Sequence, residues 1–182
     1  MQAKSTALPF ADCPKALDGS MAGDVGFDPL GFSDFELGPF DSSEQHMGWM
    51  REAELKHGRV CMLATVGWIG VDQGAKAYGL PAELQGLSSY QAHDAAVAQG
   101  SLLILLIFCG VFEIAGAGGI AATLEGKRVP GDFALTGGFG KTPEQMAKLK
   151  QAEIKHARLA MMAFSGIATQ SAVNGGIGFP YF

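Results

Sequence analysis

Charge is scarce in this sequence: 17% of its 182 residues are Asp, Glu, Lys or Arg, against 48% hydrophobic residues and 26 glycines. That balance is unusual for a soluble domain of this length and points to a small, single-domain membrane protein. Basic residues are the scarcer sign, leaving a net charge of −5. No basic stripe offsets it, which excludes nucleic acid as a partner. Cysteine is sparse as well. Cys13, Cys61 and Cys109 are odd in number and show no CxxC spacing, which excludes a disulfide framework and a zinc site. Cys61 and Cys109 fall in apolar runs and read as small buried hydrophobes. Residues 1–20 contain Lys4 and Lys15 but no apolar signal region, so the sequence reads as a mature or trimmed chain.

What is present is organised around a repeat. Glu54-Leu55-Lys56-His57-Gly58-Arg59 returns 99 residues later as Glu153-Ile154-Lys155-His156-Ala157-Arg158. Each copy runs into an apolar stretch of the same texture, with Met62, Ala64 and Gly67 in one and Met161, Ala163 and Gly166 in the other. On a helix Glu54 and His57 share a face, whereas Arg59 points about 140° away from Glu54 by helical periodicity. Glu and Arg of one copy are poorly placed to neutralise each other. Two such helices crossing side by side would pair Glu54 with Arg158 and Glu153 with Arg59, related by a pseudo-twofold axis.

The chain taken in order predicts an all-α membrane protein with three transmembrane helices. Residues 1–45 are rich in Gly, Pro, Asp and Phe; they lack a helical period but carry too many aromatics for a solvated tail, and predict an ordered surface loop. Phe27, Leu30 and Phe32 would face something apolar. The first span is expected over about 48–72. Only Val60 to Val71 is cleanly apolar, short of the ~20 residues a membrane helix needs, so the charged segment Glu54 to Arg59 must supply the missing turns. Trp68 reads as an interfacial or core residue.

Residues 73–94 read as a polar connection, and about 95–124 as a second span. Glu113 inside it is costly, at about 2.5–3.5 kcal/mol near the midplane, unless it has a partner or sits near an end. Residues 125–145 return to the texture of the first loop. Thr142 as cap with Pro143 at the first turn opens a third span over about 145–173. Lys4, Lys15, Arg51, Lys127, Arg128, Lys141, Lys148 and Lys150 fall on one side of the membrane and Lys76 on the other, which places the N-terminus on the positive side and the C-terminus across the membrane.

Two chemistries compete for Glu-x-x-His on paired helices. A carboxylate-bridged di-iron site needs one further Glu from each of two more helices. The middle span supplies only Glu113, and an Arg beside each motif opposes a cationic metal pair. Alternatively each Glu and each His is a separate ligand. A magnesium already held by four tetrapyrrole nitrogens needs one axial donor, and accepts oxygen or imidazole nitrogen. An Arg from the neighbouring helix would balance the charge of a Glu used this way.

These motifs, together with Gly23-Asp24-Val25-Gly26-Phe27-Asp28-Pro29-Leu30-Gly31-Phe32 before the first span, resemble the light-harvesting chlorophyll a/b- and a/c-binding antenna superfamily. The resemblance covers nearly the whole chain. Lys4 to Phe10, the short loops and the compact tail resemble the red-lineage chlorophyll a/c branch (fucoxanthin-, alloxanthin- or peridinin-type) more than the green a/b one. The resemblance implies that Glu54, His57, Glu113, Glu153, His156 and Gln170 are axial ligands to chlorophyll magnesium, and that Arg59 and Arg158 are ion-pair partners of Glu153 and Glu54. It implies chlorophyll a with chlorophyll c, and two xanthophyll carotenoids crossed beside the first and third helices, their ends under the loops at Phe27 to Phe32 and Phe133 to Phe139. Ala64, Gly67, Ala163 and Gly166 would permit the close crossing. Implied partners are a photosystem core, photosystem I before photosystem II, with neighbouring antenna subunits and thylakoid lipids. The implied location is the plastid thylakoid, N-terminus stromal and C-terminus lumenal. The chain departs from green members, which often have Asn at the place of His156 and a C-terminal helix with a histidine ligand.

Blander readings stand beside these. Gln170 can be a membrane-edge polar residue and Glu113 a solvated helix-end residue. Gln99 and His93 read first as interfacial and only second as pigment ligands. His46 and the methionines read as surface and packing residues, and Lys56 and Lys155 as side chains snorkelling outward. The function expected is therefore a non-enzymatic antenna that passes excitation to a photosystem. A photoprotective relative is the nearest alternative, and an intramembrane di-iron oxidase or a proton-relay transporter the more distant ones.

Overall fold

Four α-helices carry the chain: α1 Ser43–Asp72, α2 Ser89–Ala98, α3 Ser101–Leu124 and α4 Pro143–Val173, with a 3-10 turn at Ala82–Leu84. The structure is a computed structural model and describes residues 4–34, 40, 42–75, 82–135 and 137–181. Among them there is no strand, only an isolated bridge between Lys4 and Asp12. Lys76, the one basic residue assigned to the far side of the membrane, lies outside the described residues.

The helix ends follow local chemistry. Ser42 Oγ accepts from Gln45 N at 3.3 Å and starts α1, five residues before the expected start of the first span. Thr142 Oγ1 accepts from Gln145 N and, with Pro143 following, starts α4 as the cap motif predicts. At the other end of α1, Gly74 (φ +93) lets Ala75 N donate back to Gly70 O at 2.8 Å. Gly175 (φ +72) does the same for α4, with Gly176 N donating to Ser171 O at 2.7 Å.

The second span is corrected. The apolar run from Ala95 is broken at Gln99 and Gly100, whose N–H groups turn back to Ala95 O and Val97 O. Residues Ala95–Ala98 therefore end α2, and the long apolar helix starts at Ser101. The supposed polar connection thus contains a helix, which a capping box between Ser88 and Gln91 begins. Helix α3 spans about 36 Å at 1.5 Å per residue. Among the described residues it is the one helix long and apolar enough to cross a membrane by length and composition.

The chain clusters into two units that share these helices. The first comprises Met1–Lys56 and Ala117–His156. The described part of its N-terminal loop is tied down by hydrogen bonds: Ser5 Oγ donates to Gly26 O at 2.6 Å, Ala7 N to Val25 O at 3.1 Å, and Gly23 N to Gln151 Oε1 on α4 at 2.8 Å. Asp28 accepts from Phe32 N, Ser33 N and Ser33 Oγ. Burial pushes its carboxyl upward, but these hydrogen bonds outweigh burial and hold it below the usual carboxylate range. His46 is corrected from surface to interior: it is 3% exposed, with its ring 5.6 Å from that of Phe40.

The second unit comprises His57–Gly116 and Ala157–Phe182. Asp72 at the end of α1 ties it together, accepting from Ser89 N at 2.7 Å and from Tyr181 Oη at 2.8 Å. Ser89 Oγ donates to Trp68 O, and Ser88 Oγ to Gly176 O. Trp68 packs edge-on against Phe164 at 5.7 Å, a contact that favours the core reading of the two. Helices α1 and α4 meet where Gly58 faces Ala157.

The protein core is thin. Leu55, Ile154, Ala157 and Ala160 are buried, whereas Val60, Leu63, Val66, Leu159 and Met162 on α1 and α4 are exposed, as are most large residues of α3. Cys61 is half-buried and Cys109 exposed, which corrects the buried reading. An apolar run calls for an apolar neighbour, and the described residues of this chain do not supply it for these side chains.

Candidate pigment-binding site

The repeat places its donors on successive turns of α1 and α4. Glu54 is half-buried, and Arg51, one turn earlier, donates to its Oε2 at 2.9 Å. The sequence reading named no such partner, although the i,i+3 spacing signals it. His57 is exposed and Arg59 half-buried. On α4, Glu153 is half-buried while His156 and Arg158 are exposed. Lys56 and Lys155 point outward as expected.

His156 is the best-defined donor. Its Nδ1 lies 2.8 Å from Ala152 O, one turn back. A carbonyl oxygen can only accept, so Nδ1 carries a proton, and in the neutral form of this exposed ring the lone pair is on Nε2. This is the arrangement in which a backbone carbonyl fixes the tautomer of a metal-binding imidazole. Gln170 is exposed near the end of α4. Glu113 is exposed midway along α3 rather than near an end, so helix-end solvation does not describe it. Among the described residues, no group of three or more His, Cys, Asp or Glu stands close enough to hold one metal ion. The donors are presented singly, which suits a metal that needs one protein ligand.

A second polar cluster was missed by sequence reasoning. Glu52 is 5% exposed. Its Oε2 accepts from Gly131 N at 2.6 Å and lies 2.9 Å from Arg128 Nη2, off the hydrogen-bond axis, so that contact is ionic. Arg128 also donates through Nε to Gly119 O and Thr123 Oγ1, and through Nη1 to Asp132 O, with its guanidinium 4.6 Å over the Phe133 ring. This fixes the loop that leads from α3 toward α4. Nothing in the spacing of Glu52 and Arg128 announces the pair.

Carboxylate and imidazole side chains on long helices, beside apolar side chains that the described residues leave exposed, mark an α-helical protein with apolar outer faces, the class that the comparisons then narrow. The chain matches the family model described as Chlorophyll A-B binding protein over residues 13–172. It is 30% identical over 176 residues to chlorophyll a-b binding protein 6 of Arabidopsis thaliana, covering 94% of this chain and 70% of that protein. It is 31% identical to chlorophyll a-b binding protein CP29.3 of the same plant, covering 92% and 74%. Against photosystem I chlorophyll a/b-binding protein 5, also from Arabidopsis thaliana, it is 30% identical, covering 93% and 71%. The chain belongs to the chlorophyll a/b-binding protein family of light-harvesting antenna proteins.

The residues fit chlorophyll as the bound group. Its magnesium is a hard ion satisfied by one oxygen or imidazole donor, which His156 presents with a fixed tautomer. Its macrocycle and tail need apolar cover, and Leu159 and Met162, next along α4, are 66% and 75% exposed.

Proposed function

We propose that this protein is a three-span antenna of the plastid thylakoid that holds chlorophylls at Glu54, His57, Glu113, Glu153, His156 and Gln170, one axial ligand each, and passes excitation to a photosystem core. The observation that carries this reading is His156, held by Ala152 O so that the lone pair of the neutral ring is on Nε2, within a motif that the chain repeats at Glu54 to Arg59. Bound chlorophyll absorbs light and passes on the excitation; the protein catalyses no bond chemistry. Its residues set which atom holds each pigment and at what orientation. Helices α1 and α4 act as the outer spans beside α3, forming one pigment-binding domain. Their motifs pair across a pseudo-twofold as Glu54 with Arg158 and Glu153 with Arg59, as the repeat spacing motivates.

Phe27, Leu30 and Phe32 are all more than half exposed on the described part of the N-terminal loop. An apolar end group beneath that loop, which a xanthophyll would supply, accounts for them. The basic residues on the N-terminal side support a stromal N-terminus and a lumenal C-terminus. The a/c branch, with chlorophyll c among the pigments, rests on the opening segment and the short loops, and a photosystem I core with antenna neighbours and thylakoid lipids is the assigned setting. Absorption spectroscopy with pigment extraction and chromatography tests the whole reading. Chlorophyll a with chlorophyll c and a xanthophyll is expected. Chlorophyll b in place of c would move the chain to the green branch, and stoichiometric iron without chlorophyll would overturn the function.

A further inference from the structure

We infer that His93 on α2 is an additional axial ligand for a chlorophyll, a magnesium tetrapyrrole, and that Asp94 is its positioning residue; this rests on the antenna reading above. His93 Nδ1 lies 3.0 Å from Asp94 Oδ1. A carboxylate accepts, so the proton of the neutral ring is held at Nδ1 and the lone pair is left on Nε2. This is the electronic arrangement His156 reaches with Ala152 O, made here with the carboxylate partner common to metal-bound imidazoles. Among the described residues, Nε2 of His93 has no partner.

The helix that carries it is held at its N-terminus, and among the described residues one of its faces is left exposed. The Ser88 capping box, the Ser88 bond to Gly176 O, and the Ser89 bonds to Asp72 and Trp68 O fix its N-terminus. No residue of α2 is buried. Tyr90, His93 and Val97 lie within about 60° of one another by helical periodicity and are all exposed, while Ala92, Ala95 and Ala96 on the other side are half-buried. The exposed face thus has an apolar platform one turn before and one turn after the imidazole. A flat macrocycle ligated at Nε2 would be covered by Tyr90 and Val97. A solvated surface helix has no use for an aligned aromatic, imidazole and valine, whereas a pigment uses all three.

The full chain is refolded with chlorophyll a and xanthophylls, and chlorophyll per polypeptide is measured by extraction together with absorption difference spectra. His93→Ala is expected to lose one chlorophyll per chain with its helical circular dichroism unchanged. His93→Gln, which offers an amide oxygen instead, is expected to keep the full count with a shifted red band. Asp94→Leu should lower occupancy of that one pigment, and Asp94→Asn, still an acceptor, should restore it. An unaltered count and a flat difference spectrum for His93→Ala overturn the inference and leave a solvated His–Asp pair. If His93→Ala fails to assemble, His93→Gln decides: an unshifted spectrum overturns the assignment and a shifted one supports it. A wild-type chain that takes up no chlorophyll would overturn the antenna reading itself.

Discussion

Gly58 and Ala157 occupy equivalent positions in the two copies of the repeat, and they face each other where α1 meets α4. A Cβ built on Gly58 would overlap Ala157 Cβ and lie 3.0 Å from Ala157 Cα. Ala157 itself is fully buried. The repeat is thus not only a duplicated ligand motif, because its Gly/Ala difference lets two helix backbones approach.

Gly58→Ala tests this. In an isolated helix the change gains about 0.5–1 kcal/mol in propensity, but overpacking against a backbone atom costs about 1–3 kcal/mol. Net destabilisation is expected in thermal unfolding. Adding Ala157→Gly should recover most of it, since the exchanged pair restores one Cβ between the helices. A stabilised single variant would show that the approach is looser than described.

The buried Glu52–Arg128 contact leads to an asymmetric prediction. Arg128→Leu leaves a carboxylate that is 5% exposed without its counter-charge, and about 3–5 kcal/mol of stability should be lost. Glu52→Gln keeps an oxygen to accept from Gly131 N, and Arg128 keeps Gly119 O and Asp132 O. Its cost should be nearer 1–3 kcal/mol. Chemical denaturation of the pigment-loaded protein compares the two, and equal losses would argue against ionic stabilisation.

The helices were largely legible in the sequence because their signals are local: Thr142 and Pro143 start α4, and apolar length announces α3. Gln99 and Gly100 stand out in the run but did not announce a helix end, since alanines before them and Leu102 onward after them keep it apolar; the end of α2 is set by the positive φ of Gly100 (+78). The matching helical positions of Glu54 and His156 were legible through the repeat. What holds them was not: Ala152 contributes a carbonyl that every residue has, and Arg51 was set aside as a topology marker. Glu52 and Arg128 lie far apart in sequence, and a pair made by tertiary approach leaves no trace in spacing.

Tyr181 provides an alkaline signature. Burial first, then the hydrogen bond to Asp72 and its charge, push the phenol up to about 12. A folded value above the unfolded one of about 10 means that the stabilisation is complete below pH 10 and is lost as pH rises toward 12. Ultraviolet titration should show one of the three tyrosines ionising late, and Tyr181→Phe should remove that phase and flatten the alkaline loss of stability. A late phase that survives the substitution would assign it elsewhere.

The reciprocal pairing proposed for the repeat has its own test, and the Arg51 contact sharpens it. Glu54 already has a neighbour on its own helix, 2.9 Å away; if that pair were the whole of its neutralisation, Arg158→Leu would act independently of Glu54→Gln. If Arg158 shares the carboxylate, each single variant should lose pigment and stability, and the double variant should lose less than their sum, with a coupling of about 0.5–3 kcal/mol. The same cycle run with Arg51→Leu measures the partly buried i,i+3 contact by itself and so separates the two arginines. Strict additivity between Glu54 and Arg158, beside measurable coupling between Glu54 and Arg51, would discard the cross-helix pair. It would leave α1 and α4 held together by small residues such as Gly58 and Ala157.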